Sequence, residues 1–327
     1  VRAARPPGLD PAPRMRVMRG LVLLAVLASI ADADTGPDLL LRPDPRDGRG
    51  DVALEVQAYL DGRIEGGGPL DLVFTRVRAR SRLSSPESRR VVAGLSLDRI
   101  DLDGAGLPSD LTDLSFAVGA ELGSLGEWDL AASAGAGFSG DEPFSDGSAW
   151  YGIGTVAATR KVDERSDLTL LVAYDGNRGF LPDWPLPGVA YSTFVGPHLR
   201  YTLGLPFNSV SWKPAPKWEV EARAILPVGG SVRVSYGEGS WRLFAGYRAQ
   251  RAYFHIDGTP RRFRLRYEEH LVEGGVTWSP RPRADLTLAA GWGFAREFEN
   301  RSDSGRDFGK VELSDEPFLA LRVDVRF

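Results

Sequence analysis

The chain has 327 residues, 43% hydrophobic and 26% charged, which excludes a disordered polymer and leaves room for one large domain or two ordinary ones. With 40 basic and 44 acidic residues it lacks the basic surplus that nucleic acid would require, so no nucleic-acid partner is expected. Cysteine is absent, which removes a disulfide framework, a thiolate nucleophile and a cysteine metal site, while 38 glycines and abundant aromatics lean toward an all-β chain.

Residues 1–14 (VRAARPPGLDPAPR) precede Met15 and read as an over-extended gene start. Arg16 and Arg19 then introduce the apolar run LVLLAVLASI (21–30), followed by the small-residue site Ala31-Asp32-Ala33. A basic region, a short apolar core and an A-x-A site make residues 15–33 a secretory signal peptide with cleavage after Ala33. The apolar run is too short to cross a bilayer as a helix. Residues 1–33 hold five basic and two acidic residues, so the remainder carries 35 and 42, a net charge of about −7. Residues 34–50 (DTGPDLLLRPDPRDGRG) read as a periplasmic spacer before a folded domain over 51–327.

From Asp51 onward the apolar residues recur with period two. Val52, Leu54, Val56, Ala58 and Leu60 share one face, as do Leu114, Phe116, Val118, Ala120 and Leu122. Trp128 to Phe138, Trp218 to Leu226 and Leu286 to Phe294 repeat the pattern. Less regular strands are expected at 70–79, 91–100, 150–160, 168–174, 192–203, 232–236, 241–249 and 263–278. With the last segment, PFLALRVDVRF, the expectation is about 12–14 strands. Short turns at 123–126, 162–165, 237–239 and 280–283 alternate with long connections at 175–190 and 297–316.

Alternation alone fits a soluble sandwich as well as a membrane barrel. The aromatics separate the two. If consecutive strands are antiparallel hairpins, Trp128, Trp218 and Trp241 open strands at the same end where Tyr236, Trp278 and Phe327 close them, each on the apolar face. A row of outward aromatics at one height is what a membrane-interface girdle needs. Glu219, Glu221 and Arg223 on one strand, and Arg264, Arg266 and Glu268 on another, are then candidates for charges lining a lumen, because such rows are costly against lipid. The expected fold is an all-β, transmembrane antiparallel up-and-down barrel. Leu321, Val323, Val325 and Phe327 both supply the closing strand and resemble the C-terminal signal read by the barrel-assembly machinery of Gram-negative bacteria.

The segments LPFNSVSWKPAPKWEVEARAILP, VRVSYGEGSWRLFAGYRAQ, RRFRLRYEEHLVEGGVTW and AAGWGFAREFE resemble an uncharacterised family of outer-membrane barrels from environmental Gram-negative bacteria, over about residues 50–327. That resemblance implies the fold and a bacterial outer-membrane location, with outer-membrane lipid and lipopolysaccharide as surroundings. It implies no substrate and no site residues.

Catalytic and metal signals are weak. The chain has three histidines. His198 and His270 have no hydroxyl two residues away, whereas His255 could be oriented by Asp257, with Ser240 or Thr259 as nucleophile. DLDGAG (101–106) lacks the later ligands of a calcium loop, and WYGIGT (150–155) lacks the third glycine of a dinucleotide fingerprint. No cofactor is expected. The sequence points to a passive pore or transport-related barrel for small polar solutes, with a structural or adhesion barrel acting through its loops, or a membrane lipid hydrolase, as the other readings.

Overall fold

The computed structural model describes residues 35–41, 49–65, 67–104, 107–144, 147–179, 181–225, 229–259, 263–302 and 307–327. The signal segment, with Ala31 and Ala33, lies outside the described residues. After the short helix α1 (Pro37–Leu41) the chain is a succession of antiparallel hairpins. The strands are β1 (Gly50–Tyr59), β2 (Asp71–Arg82), β3 (Val91–Asp103), β4 (Asp110–Leu125), β5 (Trp128–Gly140), β6 (Trp150–Lys161), β7 (Ser166–Asp175) and β8 (Leu186–Val195). They continue with β9 (Leu199–Leu205), β10 (Phe207–Ala215), β11 (Trp218–Ile225), β12 (Gly229–Glu238), β13 (Trp241–Phe254), β14 (Phe263–Arg281) and β15 (Ala284–Ser302). β16 (Asp307–Leu313) runs on across Ser314 and Asp315 into β17 (Glu316–Arg326); both pair with β15, so together they form one stave.

Each stave pairs with the next, and β17 pairs with β1, from Asp51 opposite Arg326 to Tyr59 opposite Phe318. The sheet is therefore a closed, all-β, up-and-down barrel of 16 staves. The alternation that runs to the last residue serves this seam. Phe327 donates its N–H to Gly50 O at 2.9 Å, and its carbonyl accepts from Gly50 N at 3.0 Å.

Sixteen staves exceed the 12–14 expected, and the difference has two sources. The segment 192–203 is two strands, β8 and β9, because Gly196, in the left-handed region at φ 68°, turns the chain between them. β10 was concealed in FNSVSWKPA, where the alternation is carried by serines and short of apolar residues. The long connection expected at 297–316 is mostly strand, since β15 and β16 extend the last hairpin.

Strand faces divide as the pattern requires. Val52, Leu54, Phe116, Val118, Val172, Leu243, Val272, Leu288, Leu319 and Leu321 are exposed on the outer surface. The residues between them point inward and include most of the charge. A barrel that is apolar outside and charged inside is the reverse of a soluble one and suits hydrocarbon surroundings. At the end where Gly50 and Phe327 meet, the turns are short, as at 126–127, 216–217, 239–240 and 282–283, with 83–90 longer. Gly126 and Gly239 supply the positive φ that two of these tight turns demand.

The same end carries the expected aromatic row. Trp218 faces Tyr236 across the ladder with ring centroids 4.9 Å apart, and Trp241 stacks on Trp278 at 5.7 Å. Trp212, near the end of β10, is exposed at the same level and joins them. A second outward cluster, Tyr247, His270 and Phe294, sits nearer the far end, with centroids 5.6–6.5 Å apart. The apolar belt lies between the two. Replacing Leu288, 57% exposed within that belt, by arginine is expected to destabilise the refolded barrel by about 2–4 kcal/mol. Ser211→Arg, on the inner face opposite Glu221, is expected to stay within about 0.5 kcal/mol, both read from urea titrations in lipid vesicles.

Candidate functional site: the lumen

The inner face of β2 is written in the run RVRARSR, which places Arg76, Arg78 and Arg80 on alternate positions. Asp98 of β3 accepts from Arg76 Nε at 2.8 Å and from Arg78 Nη2 at 2.7 Å. Glu55 of β1 is a hub, with Arg248 Nη2 at 2.9 Å, Arg322 Nε at 3.2 Å and Arg76 Nη1 at 3.4 Å. β13 and β1 are not sheet neighbours, so the Arg248–Glu55 contact reaches through the lumen. Arg322 also holds Glu273 of β14. Ion pairs with so little water around them depend on every partner being present.

Toward the far end a second polar knot is buried completely. Glu269 is 0% exposed and accepts from the hydroxyls of Tyr59 and Tyr267 and from Gln250 Nε2. The Arg296 guanidinium lies 3.6 Å over the Tyr59 ring and reaches Glu316 at 3.2 Å. A carboxylate removed from water needs such donors, since each missing one would cost about 1–3 kcal/mol. Around this knot Tyr59, Leu72, Phe74, Ile100, Leu102, Leu111, Phe254, Leu265, Tyr267, Phe298 and Phe318 form one apolar cluster inside the barrel.

The cluster forms because the β13–β14 hairpin leans across the far opening. His255, just past β13, pairs in parallel with Gly140 at the end of β5, and its N–H bonds Ser139 O at 3.0 Å. Ser139 Oγ and Asn177 Nδ2 both donate to Tyr253 O, at 2.7 and 3.0 Å. Arg264 Nη2 bonds Gly176 O at 2.9 Å. These contacts join staves from opposite sides of the barrel and roof its mouth.

Near the other end α1 lies against the inner wall of β3, β4, β5 and β6. Leu39 is fully buried with Val92 and Ala117, Thr35 Oγ1 is 3.0 Å from Ser115 Oγ, and Arg90 Nη1 donates to Leu40 O at 2.9 Å. Gly119 makes the space, because a Cβ there would stand 2.6 Å from Leu40 Cδ2. The wall is otherwise small and hydroxylic, and the buried Ser133 and Thr155 hydroxyls have no hydrogen-bond partner among the described residues. Residues read from sequence as spacer thus include a segment lodged in the lumen; its signal was DLLL, an apolar triplet too short to register as an element. Beside the Glu55 hub an open cavity of about 300 Å³ remains, lined by Arg223, Ser231, Arg233, Glu221 and Glu273 among others.

Of the charges expected to face the lumen, Glu221 and Arg223 line this cavity, and Glu219 shares their strand face, 3.2 Å from Lys213. Arg266 and Glu268 lie on the opposite face of β14 from Tyr267 and Glu269, the same face as His270 and Val272. There they join Arg251, Glu297, Glu299 and Lys310 in a charged ladder beyond the Tyr247–His270–Phe294 cluster. Arg264 follows by alternation on that face and is engaged by the 176–178 segment. The hub residues Glu55, Arg76, Arg78, Arg248 and Arg322 were not singled out from sequence, although the alternating arginines of β2 were a visible signal.

The expected His255 site is arranged differently. Ser240 sits in the turn before β13, at the opposite end from His255, and Thr259 Oγ1 bonds Ile256 O at 2.6 Å. Asp257 N–H bonds Asp141, while His255 Nε2 is 2.7 Å from Ser148 Oγ. His255 thereby fastens the roof to the β5–β6 connection. Among the described residues no three His, Asp or Glu are placed to hold a metal ion.

No family model matches the sequence, and no curated protein does. Among solved structures the chain is similar to an outer-membrane channel from Pseudomonas putida F1, at 14% identity over 87% of this chain and 99% of that one, with a TM-score of 0.35. It is also similar to a Pseudomonas aeruginosa FadL homologue (11% identity, 90% and 93% covered, TM-score 0.43) and to the Pseudomonas putida toluene transporter TodX (12%, 90% and 92%, 0.36).

Glu55→Ala removes the shared partner of three arginines and is expected to cost about 3 kcal/mol in urea unfolding. Glu312→Ala, on the exposed outer ladder, is expected to leave the midpoint unmoved.

Proposed function

We propose that this chain is a transport-related barrel of the bacterial outer membrane that passes small polar solutes through a lumen closed at two places. The supporting observation is the lumen itself, half bridged by ion pairs and half walled by small and hydroxylic side chains against which a short segment is lodged. The apolar belt between two aromatic rows supports the membrane setting, and the short-turn end, with both ends of the domain, would face the periplasm. The charged ladder outside the far aromatic cluster would stand at the level of lipopolysaccharide headgroups. Leu321, Val323, Val325 and the terminal Phe327 would present the assembly signal before the seam closes. In this reading α1 and the β13–β14 roof are the two gates, and lumen charge sets which solutes pass.

In planar bilayers the full chain is expected to show low conductance, and Gly119→Leu, which forces Leu40 from its seat, to raise it several-fold. Protease cleavage within 35–41 should become faster in the same variant. Cleavage that accelerates without any gain in conductance, in this variant and in one also lacking the Ser139 and Asn177 side-chain bonds to the roof, would remove the transport reading.

A further inference from the structure

Most lumen arginines have a carboxylate. Asp98 serves Arg76 and Arg78, Glu55 serves Arg248 and Arg322, Asp51 serves Arg80, and Asp285 serves Arg326. Arg233 of β12 differs. Its register partner on β11 is Glu221, directly across the ladder, yet among the described residues no carboxylate lies within ion-pair distance of its guanidinium. The guanidinium turns instead onto the ring of Phe244, with Cζ 3.6 Å from the centroid. Its Nε is buried with no hydrogen-bond acceptor among the described residues. Glu221 is nearer to Arg223, and that contact is long, at 3.9 Å.

A guanidinium held over an aromatic ring leaves N–H donors at its edge for a planar acceptor. Arg233 lines the open cavity of about 300 Å³ together with Arg223 and the hydroxyl-bearing Ser231. Gly246, the register partner of Arg233 on β13, puts no side chain beside it. Glu273 also borders the cavity, but it is engaged by Arg322. Two arginines on the cavity wall facing one loosely held carboxylate, one of them beyond ion-pair distance of any described carboxylate, form a receptor for negative charge.

We infer that Arg233, flanked by Arg223 and Ser231, is a binding site in the lumen for a small oxyanion, a carboxylate or phosphate taken at the guanidinium edge. The inference rests on the barrel reading above and narrows its solutes to anions.

The test uses the full chain refolded in neutral detergent at low chloride and titrated calorimetrically with inorganic phosphate and, separately, acetate. Saturable binding of one anion per chain is expected, weakened about tenfold in Arg233→Gln, partly kept in Arg233→Lys, and tightened in Glu221→Gln. Circular dichroism of each variant checks the barrel. Wild-type protein that binds neither anion overturns the inference. So does an Arg233→Gln barrel that binds as wild type does, or, should that variant not fold, a Glu221→Gln variant with unchanged affinity. Phosphate binding without acetate binding assigns the site to phosphate, and the reverse assigns it to carboxylates. Anion binding that depends on Arg233 in a barrel that never conducts would keep the site and discard transport.

Discussion

Everything in this structure follows from the requirement that backbone N–H and C=O groups find partners where water is scarce. A sheet meets that requirement only by closing, and this one closes through the pairing of β17 with β1, down to the bonds between Phe327 and Gly50. Once the sheet is a ring, the faces have no freedom. One side carries exposed apolar residues and the other receives most of the charge. The Arg–Glu hub, the Glu269 knot and the roofed mouth are consequences of gathering polar side chains on the inside of a narrow cylinder.

That interior is closer to a protein core than to an aqueous channel. Glu55 serves three arginines and Glu269 two tyrosines, so the staves β1, β2, β13, β14 and β17 are tied through the lumen as well as along the ladder. The opposite wall is tied across the lumen at the roofed mouth, where Ser139 and Asn177 hold Tyr253. Its glycine, alanine, serine and threonine positions leave a groove, and α1 occupies it with two leucines. The asymmetry sets a half bridged by ion pairs against one filled by a few residues of α1.

Much of the architecture was legible in the sequence. Period-two alternation located fourteen segments because each places aliphatic residues on one face, and the aromatic row was visible because Trp218, Trp241 and Trp278 flank tight turns. β10 was not visible, since serines do not mark a face. The charges were harder. Alternation reports which face a residue occupies but not its height, and on β14 the outer face changes from apolar at Val272 to charged at Glu268 and Arg266 within a few residues. The lumen hub could be read only once the ring brought β1, β2, β13 and β17 together, because Glu55 lies 193 positions from Arg248 and farther still from Arg322. Lodging of α1 depends on the missing side chain of Gly119, a shape that no local pattern encodes.

The staves are far from equal. β14 and β15 have 19 residues each, whereas β9 has 7 and β11 has 8. Seven residues rise about 23 Å even without tilt, less than the roughly 30 Å of a typical hydrocarbon core. In a bilayer, lipid beside the low wall would have to thin where lipid beside the tall wall would not. The sheet is thus a wedge, low on the flank of β9 and β11 and tall on the flank of β14 and β15.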